Sequence, residues 1–597
     1  MSIVSMQRVT LCGLTREKAA TLEGLQALGV MHLLPLRVPE PLKPDDPEKR
    51  RRAELAFRHI MTAPQQLKPY RLGTGFDADE VIGRIMANRR TLRELGDRRD
   101  VLGAMIEVLA PWGDFTLPPP EELGGQRVWL YPLPMRERHV LDKLALPWAI
   151  VGRRPTVLHV AVVAVDPPAA ELLPVARIEA GEVSLSRLLD ELDDTEIALE
   201  KAEMERTSLT HWRLLLGADL AAAQDADELR MVAEQTHDEE VIFAVQGWIP
   251  TDAVAAVAAF AGERGLAMLA EPPGPKDMPP TLLRHDSDRS ASGGDLTNFY
   301  TSPGYRSWDP SLVVFGSFAV FFAMILADAG YAALFALGTA LVWRRMGRSA
   351  SGVRVRVLLA GLSATAFAYG VAAGSYFGVA PTPGTLLGTL DVIDVANFQT
   401  MMRVSVFIGV LHIGLALGVV AWLNRGSGKA LSSLGWIVVM AAGLVLWLGG
   451  ENSRSLGTGL LAAGLASVFV GAAVVREAAS AKDWLLRFAD GLMGLTRLTK
   501  LFGDLLSYLR LFALGLASAS LATTFNQLAA DIHSANPGLG LLFAGLVLLF
   551  GHSINILIGI MSGVVHGLRL NYIEFFGWGL TEEGYPFRAF AKREGPV

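Results

Sequence analysis

The stretch LFGDLLSYLRLFALGLASAS, residues 501 to 520, places the tightest limit on what this chain can become. It is apolar enough for a bilayer-spanning helix, yet Arg510 stands in its interior. An arginine at the centre of such a helix costs about 2.5–3.5 kcal/mol even on insertion scales, so it calls for a partner or a task. Nearly all long apolar runs lie after Trp308, near 311–343, 355–379, 400–423, 432–449, 457–475, 500–530 and 539–576. Before Trp308 the sequence is charged and broken by Pro and Gly. The averages of 51% hydrophobic and 19% charged residues therefore describe neither part: the chain divides into a soluble region, 1–305, and a membrane region, 306–597. The opening MSIVSMQRVTLCGL lacks a basic segment followed by a long apolar core, so no cleaved signal peptide is expected and the first region is expected to stay cytoplasmic. The single cysteine, Cys12, excludes an internal disulfide framework and a cysteine-rich metal site, and a net charge of -6 gives no reason to expect nucleic acid.

In the soluble region, RVTLCGL, a helical stretch capped by Thr15 and running to Leu28, then Gly29 and VMHLLPL, have the order strand, helix, strand. A similar unit is expected at QRVWLYPLP, a helix around 140–146, and TVLHVAVVAV. Between them Ile85, Leu92, Leu95, Leu102, Ile106 and Leu109 recur at heptad spacing, and a second arm carries Leu185, Leu189, Leu192 and Leu199. Small α/β lobes joined by an antiparallel coiled-coil hairpin fit this pattern, and so does an ordinary helical bundle.

The first apolar run, at ~1.5 Å per residue, would measure roughly 50 Å against a hydrocarbon core of about 30 Å. ADAGY, residues 327–331, divides it, with Asp328 as a turn residue. Splitting the run there brings WRRMGRSASGVRVR, NRGSGK, the segment with Arg476, Lys482 and Arg487, and the tail with Arg588, Lys592 and Arg593 to one side. The opposite loops, PTPGTLLGTLDVIDVANFQ and DIHSANPG, hold no Lys or Arg, and Arg454 alone is misplaced. The positive-inside rule then gives about eight spans with both ends cytoplasmic. The last two helices are expected to be long and tilted.

On the seventh helix Ser507, Arg510, Leu514, Ala517, Leu521 and Thr524 share one small, partly polar face. On the last, His552, Asn555, Gly559, Ser562, His566 and Arg569 follow at spacings of three and four, a polar stripe expected to face protein or water. Arg569 also fits a side chain snorkelling to the interface. Asp504 and Glu574 lie toward the cytoplasmic ends, and His412 reads as a packing residue.

GDLLSYLRLFALGLA together with GHSINILIGIMSGVVHGLRLNYIEFF resembles subunit I of prokaryotic V/A-type ATPases, counterpart of subunit a of vacuolar proton ATPases. PWGDF, GWIP, PPTLLRH, YRSWDPS, FFAMILADAGY, GSYFG and GVLHIGLALG extend the likeness in order along nearly the whole chain. The resemblance implies a non-catalytic stator subunit of a multi-pass cell-membrane complex. It would couple ion movement to ATP hydrolysis or synthesis. It also implies that Arg510 and Arg569 face a rotating ring of carboxylate-bearing proteolipid subunits, where a nearby cation favours the charged form of each passing acid. Half-channels would be lined by Asp504, Ser507, His552, Asn555, Ser562, His566 and Glu574. The implied partners are that ring, peripheral-stalk subunits, a ring-capping central-stalk subunit, a soluble catalytic ATPase head and the bilayer, with no cofactor or metal. Eukaryotic relatives carry a glutamate where this chain has Gly559, which leaves the proton route open.

No phosphate-binding loop is present, since GSGKA at 426–430 lacks both the leading glycine and the Ser/Thr. Two other readings compete. A secondary transporter would show inverted repeats, which are not evident. A docking receptor with an inert membrane anchor would have no use for the polar stripe.

Overall fold

The computed structural model describes residues 3–593 except 38–46, 72–74, 170–171, 174, 179–182, 286, 394–396, 477–479, 536–537 and 581. Parts of the loops weighed above by charge, 394–396, 477–479 and 536–537, thus lie outside the described residues. Packing separates two units, one formed by Met1–Thr15, Val30–Leu34 and Asp238–Phe590, the other by Arg16–Gly29, Pro35–His237 and Ala591–Val597.

In the second unit the two heptad arms form helices Ala78–Leu109 and Leu185–Leu209, which pack against each other. Arg98 pairs with Glu191, and Asn88 donates to the Ala202 carbonyl at 2.8 Å, so the helices run antiparallel. Asp77 and Ser184 cap their starts by accepting from backbone N–H groups one turn in. The second seam differs from the expectation by one position: Leu188, not Leu189, is buried, and Thr195 and Ala202 continue it. Leucines stand at both 188 and 189, so hydrophobicity alone does not fix the seam. Beside the hairpin, Arg127–Pro134, Val157–Ala164 and Trp148–Arg153 make an antiparallel sheet in that order. The expected α-helix at 140–146 is instead a 3-10 segment, Met135–Lys143. Thr15 likewise opens a single 3-10 turn and does not cap helix Lys18–Leu28, which ends on left-handed Gly29.

The first unit holds a sheet in which His32–Leu34, Ile242–Pro250, Met6–Leu14 and Ala267–Glu271 lie side by side, all antiparallel. The tail returns to it. Glu583–Gly584 pairs with Ser302–Pro303, the Arg588 N–H donates to His32 Nδ1 at 2.9 Å, and the Phe590 N–H donates to the Met31 carbonyl.

The rest of this unit is helical. Among the described residues six helices are long and apolar enough to cross a membrane: Ala350–Ala372, Phe398–Leu423, Gly428–Leu448, Glu451–Val474, Ala481–Ala535 and Gly540–Gly579. Two shorter ones, Ser311–Leu326 and Ala329–Met346, occupy the first apolar run and meet at the expected break. Together with the sheets and the antiparallel arms they give a multi-span helical membrane domain joined to α/β lobes. Gly428, Gly435, Gly464 and Gly471 let Gly428–Leu448 and Arg454–Val474 approach backbone to backbone, where an added Cβ would meet main-chain atoms within 2.4–3.0 Å.

The break at Ala327, whose φ is +47°, is held by the buried carboxylate of Asp328. It caps Ala329–Met346 through the Tyr331 N–H at 2.9 Å and also accepts from Ser375 Oγ at 2.7 Å, the Phe377 N–H at 3.0 Å and the Gly378 N–H at 2.9 Å. One acid thus satisfies two interruptions of helical backbone where lipid offers no water.

Replacing Asp328 by alanine should leave those four donors without an acceptor. At about 1–3 kcal/mol for each buried unpaired group, the thermal midpoint in detergent should fall steeply, and less for Asp328→Asn, which keeps one acceptor oxygen. An unchanged midpoint for Asp328→Ala would show that the carboxylate does not hold the break. A second expectation concerns pH. Burial holds the pKa of His32 below its ordinary value. The unfolded ring takes its proton near pH 6.5 and the folded ring only at lower pH, so the stability from this contact is complete above the unfolded value and is lost as pH falls through the folded one. Between about pH 7 and about pH 5 the thermal midpoint should therefore drop faster for the native chain than for His32→Gln.

Candidate functional site

The apolar count placed the seventh span at 500–530, but the helix begins much earlier. Ala481–Ser507 leads directly into Leu509–Ala535, with the break at Tyr508. The first segment is amphipathic, which hides it from a search for apolar runs. At the break the backbone tightens to i→i−3 bonds, Tyr508 N–H to Leu505 O at 3.2 Å and Leu511 N–H to Tyr508 O at 3.0 Å. The Tyr508 ring is fully buried and fills the space left by Gly409, whose Cβ would come within 2.8 Å of it. Its hydroxyl meets His412 Nδ1 at 2.8 Å, and His412 in turn stacks on Phe575 at 4.3 Å. His412 is thus a packing residue that anchors the break. Arg510 is the second residue after it.

Leu509–Ala535 and Gly540–Arg569 pack antiparallel. The buried face of the last helix is Gly551, Asn555, Gly559, Gly563 and Gly567 at every fourth position. Three of the glycines receive aromatic rings: Phe525 at Gly551, Phe322 at Gly563 and Phe318 at Gly567. At Gly559 an added Cβ would lie 3.0 Å from Leu326 Cδ1, so a glutamate there would require Leu326 to move. With this face buried, Ile554, Ile558, Met561, Val565 and Arg569 are turned outward. On the neighbouring helix Leu511, Gly515, Ser518 and Ala522 are buried, and Ala513, Ala517, Ser520 and Thr524 are exposed. Of the face expected from spacing, Ala517 and Thr524 are exposed, whereas Ser507, Arg510, Leu514 and Leu521 are half-buried.

Among the described residues neither Arg510 nor Arg569 forms a hydrogen bond or an ion pair, and Arg510 Nη1 is buried with no partner. His566 lies within electrostatic reach of both arginines, with its Nδ1 also unpartnered. Glu574, buried in the π-helical turn Leu570–Phe575, lies within reach of Arg510 and close to Ser507 and Asp504. Asp504 already accepts from Trp578 Nε1 at 2.7 Å.

The remaining stripe residues do not join this group. His552 and Asn555 belong to a second cluster that the sequence did not reveal in full. His552 bridges Tyr331 Oη at 2.7 Å and Asn526 Oδ1 at 3.0 Å. Asn555 donates to Tyr331 Oη and to the Ser518 carbonyl, each at 2.9 Å, and accepts from Ser518 Oγ at 3.3 Å. Ser562 is half-buried and makes no hydrogen bond among the described residues. The stripe therefore does not face one environment. Its spacing averages less than 3.6 residues, so it winds from the protein interior at Asn555 to the outside at Arg569. Tyr331, Asn526 and Ser518 were missed because an uncharged polar residue in a span does not announce its partners; the one signal was the proximity of Tyr331 to Asp328 in ADAGY.

Asn555→Ala should weaken the seam between the last two helices. Interhelical hydrogen bonds in membranes average about 0.6 kcal/mol and reach about 1.7 kcal/mol, so a loss of roughly 1–2 kcal/mol in detergent unfolding is expected. Combining it with Tyr331→Phe should cost less than the sum of the two, because both remove the same bond; strict additivity would contradict the network.

No protein-family model matches the chain. Among curated proteins it is similar to V-type ATP synthase subunit I 1 of Treponema pallidum, 27% identical over 99% of this chain and 100% of that one. V-type ATP synthase subunit I of Chlamydia pneumoniae is 28% identical over 59% of this chain, and A-type ATP synthase subunit I of Methanocaldococcus jannaschii is 29% identical over 59%. The chain spans 61% and 55% of the length of these two relatives. A solved cytoplasmic N-terminal domain of subunit I, a homologue of subunit a of V-ATPase, aligns with 44% of the chain and 99% of that domain at 17% identity, with a TM-score of 0.23, a value that carries no weight for the fold. The curated relatives, one of them matched from end to end, make this chain similar to subunit I of V- and A-type ATP synthases.

Proposed function

We propose that this chain is the non-catalytic stator subunit of a rotary ATPase, that 306–597 forms the ion path, and that 1–305 is its cytoplasmic stator region. The observation that carries the reading is a pair of arginines, Arg510 and Arg569, without acceptors among the described residues, on two helices whose outward faces are otherwise small or apolar. A guanidinium in that setting is stable only if an anion reaches it from outside the chain. A ring of membrane-embedded carboxylates supplies such anions one after another. Each would release its proton on meeting the arginines, and rotation would be needed to bring the next.

Two groups of polar residues lie at different levels along the helix pair, which suits two offset half-channels. His552 and Asn555 would serve one, with Tyr331 and Asn526. His566, Glu574, Ser507 and Asp504 would serve the other. Ser562, between them, is the weaker candidate. The return of the tail to the sheet at His32 and Met31 supports placing both ends on the same side, which the arginine-rich loops mark as cytoplasmic. In this reading the antiparallel arms hold peripheral stalks against torque, and the ring cap and catalytic head belong to other chains. A secondary transporter would need its ligands inside the helix bundle, whereas Arg569 is exposed.

ATP-driven acidification of inverted vesicles containing the assembled complex tests this. Arg510→Ala, compared at matched assembly, should reduce pumping to the level of an uncoupled control. Undiminished pumping would reduce Arg510 to a packing residue and overturn the mechanism.

A further inference from the structure

On a part of the membrane region that contributes nothing to the arginine pair, helices Ala329–Met346 and Ala350–Ala372 enclose a groove of about 610 Å³. The two helices are antiparallel, and each presents the same series in the same direction. Ala336, Ala340 and Arg344 follow at four-residue steps on one, and Ala364, Ala360 and Arg356 on the other. At 1.5 Å per residue the small residues thus extend roughly 12 Å inward from a basic mouth. The floor offers no polar hook, because Thr339 and Ser363 give their hydroxyls to the Phe335 and Leu359 carbonyls. Ala336, Ala340, Ala364 and Phe367 are exposed, so the groove opens sideways.

The mouth is charged without being neutralised. Of the arginines between 344 and 356, Arg354 pairs with Asp295, whereas Arg344, Arg345 and Arg348 have no hydrogen bond or ion pair from their side chains among the described residues. The Arg356 guanidinium sits 4.5 Å from the centre of the Trp343 ring, and its Nε is buried with no acceptor. Tryptophan at this level is the residue that marks a membrane–water interface.

We propose that this groove binds one anionic phospholipid of the cytoplasmic leaflet, with an acyl chain along the alanines and the phosphate on Arg344 and Arg356. An apolar groove with guanidinium groups at one end that have no acceptor among the described residues has the two properties such a lipid needs. A transmembrane helix seated there would fill the slot and leave the arginines without an anion, so charge complementarity selects the lipid.

The test uses the assembled complex in nanodiscs of phosphatidylcholine doped with phosphatidylglycerol carrying a photoactivatable acyl chain, with phosphatidylcholine bearing the same chain as the comparison. Cross-links mapped by mass spectrometry should concentrate on 336–343 and 360–367 and favour phosphatidylglycerol. Arg344→Gln and Arg356→Gln should each reduce that labelling roughly fivefold, and Ala360→Phe, which fills the slot, should abolish it. Equal labelling by the two lipids overturns the proposal, as does labelling that survives Ala360→Phe or a co-purifying protein helix cross-linked at these positions. If a variant does not assemble, the ratio between the two probes on the unmodified complex decides alone.

Discussion

A buried face of four glycines and Asn555 at every fourth position of the last helix determines where the charges of this protein can stand. Gly551, Gly559, Gly563 and Gly567 form a surface without side chains, and Phe525, Leu326, Phe322 and Phe318 close onto it from two other helices. Van der Waals contact is what lipid cannot supply better than protein, so this fit, and not hydrophobic transfer, holds the helices together. Once that face is committed, the opposite one must look outward. Arg569 is then exposed because its position in the helix leaves no other choice. The same seam holds Leu509–Ala535 through Asn555 and Ser518, which fixes the outward face of the helix that begins with Arg510.

Both places where the membrane helices break are built around buried polar groups. At Asp328 a carboxylate gathers donors from two interrupted segments. At Tyr508 a hydroxyl meets His412 while the backbone tightens by one residue. Each break puts a functional candidate next to it, Tyr331 in one case and Arg510 in the other. A residue just beyond a break is less free to swing than one in a loop and need not follow the face of the preceding helix. That combination suits a side chain held at a fixed level in the membrane.

The sequence told most where chemistry and spacing coincide. Splitting the first apolar run at ADAGY required only a length and a charge count, and the break lies there. The antiparallel arms were legible from heptads, but Leu188 and Leu189 are chemically equivalent, and only packing distinguishes the seam from the surface. The helix 481–507 was missed because an amphipathic segment and an apolar one give different signals although the backbone runs through both. In the site, charged residues announced themselves, since any arginine in an apolar run demands explanation. Tyr331, Asn526 and Ser518 did not, because an uncharged hydroxyl or amide in a span is ordinary until its partners are known.

The unpaired state of the two arginines has its own physical logic. If Arg510 were locked to Glu574 in a tight ion pair, an incoming anion would have to break that pair before gaining anything, and the net attraction would be small. Glu574 lies within electrostatic reach of Arg510 but forms no ion pair with it, so the cation is steadied without being neutralised. Arg569 adds like charge on the same side, which raises the cost of leaving the site empty and increases the gain when an anion arrives. The chain therefore carries, in isolation, an electrostatic cost that only a partner can remove, and that cost falls where the outward faces of its last two helices end.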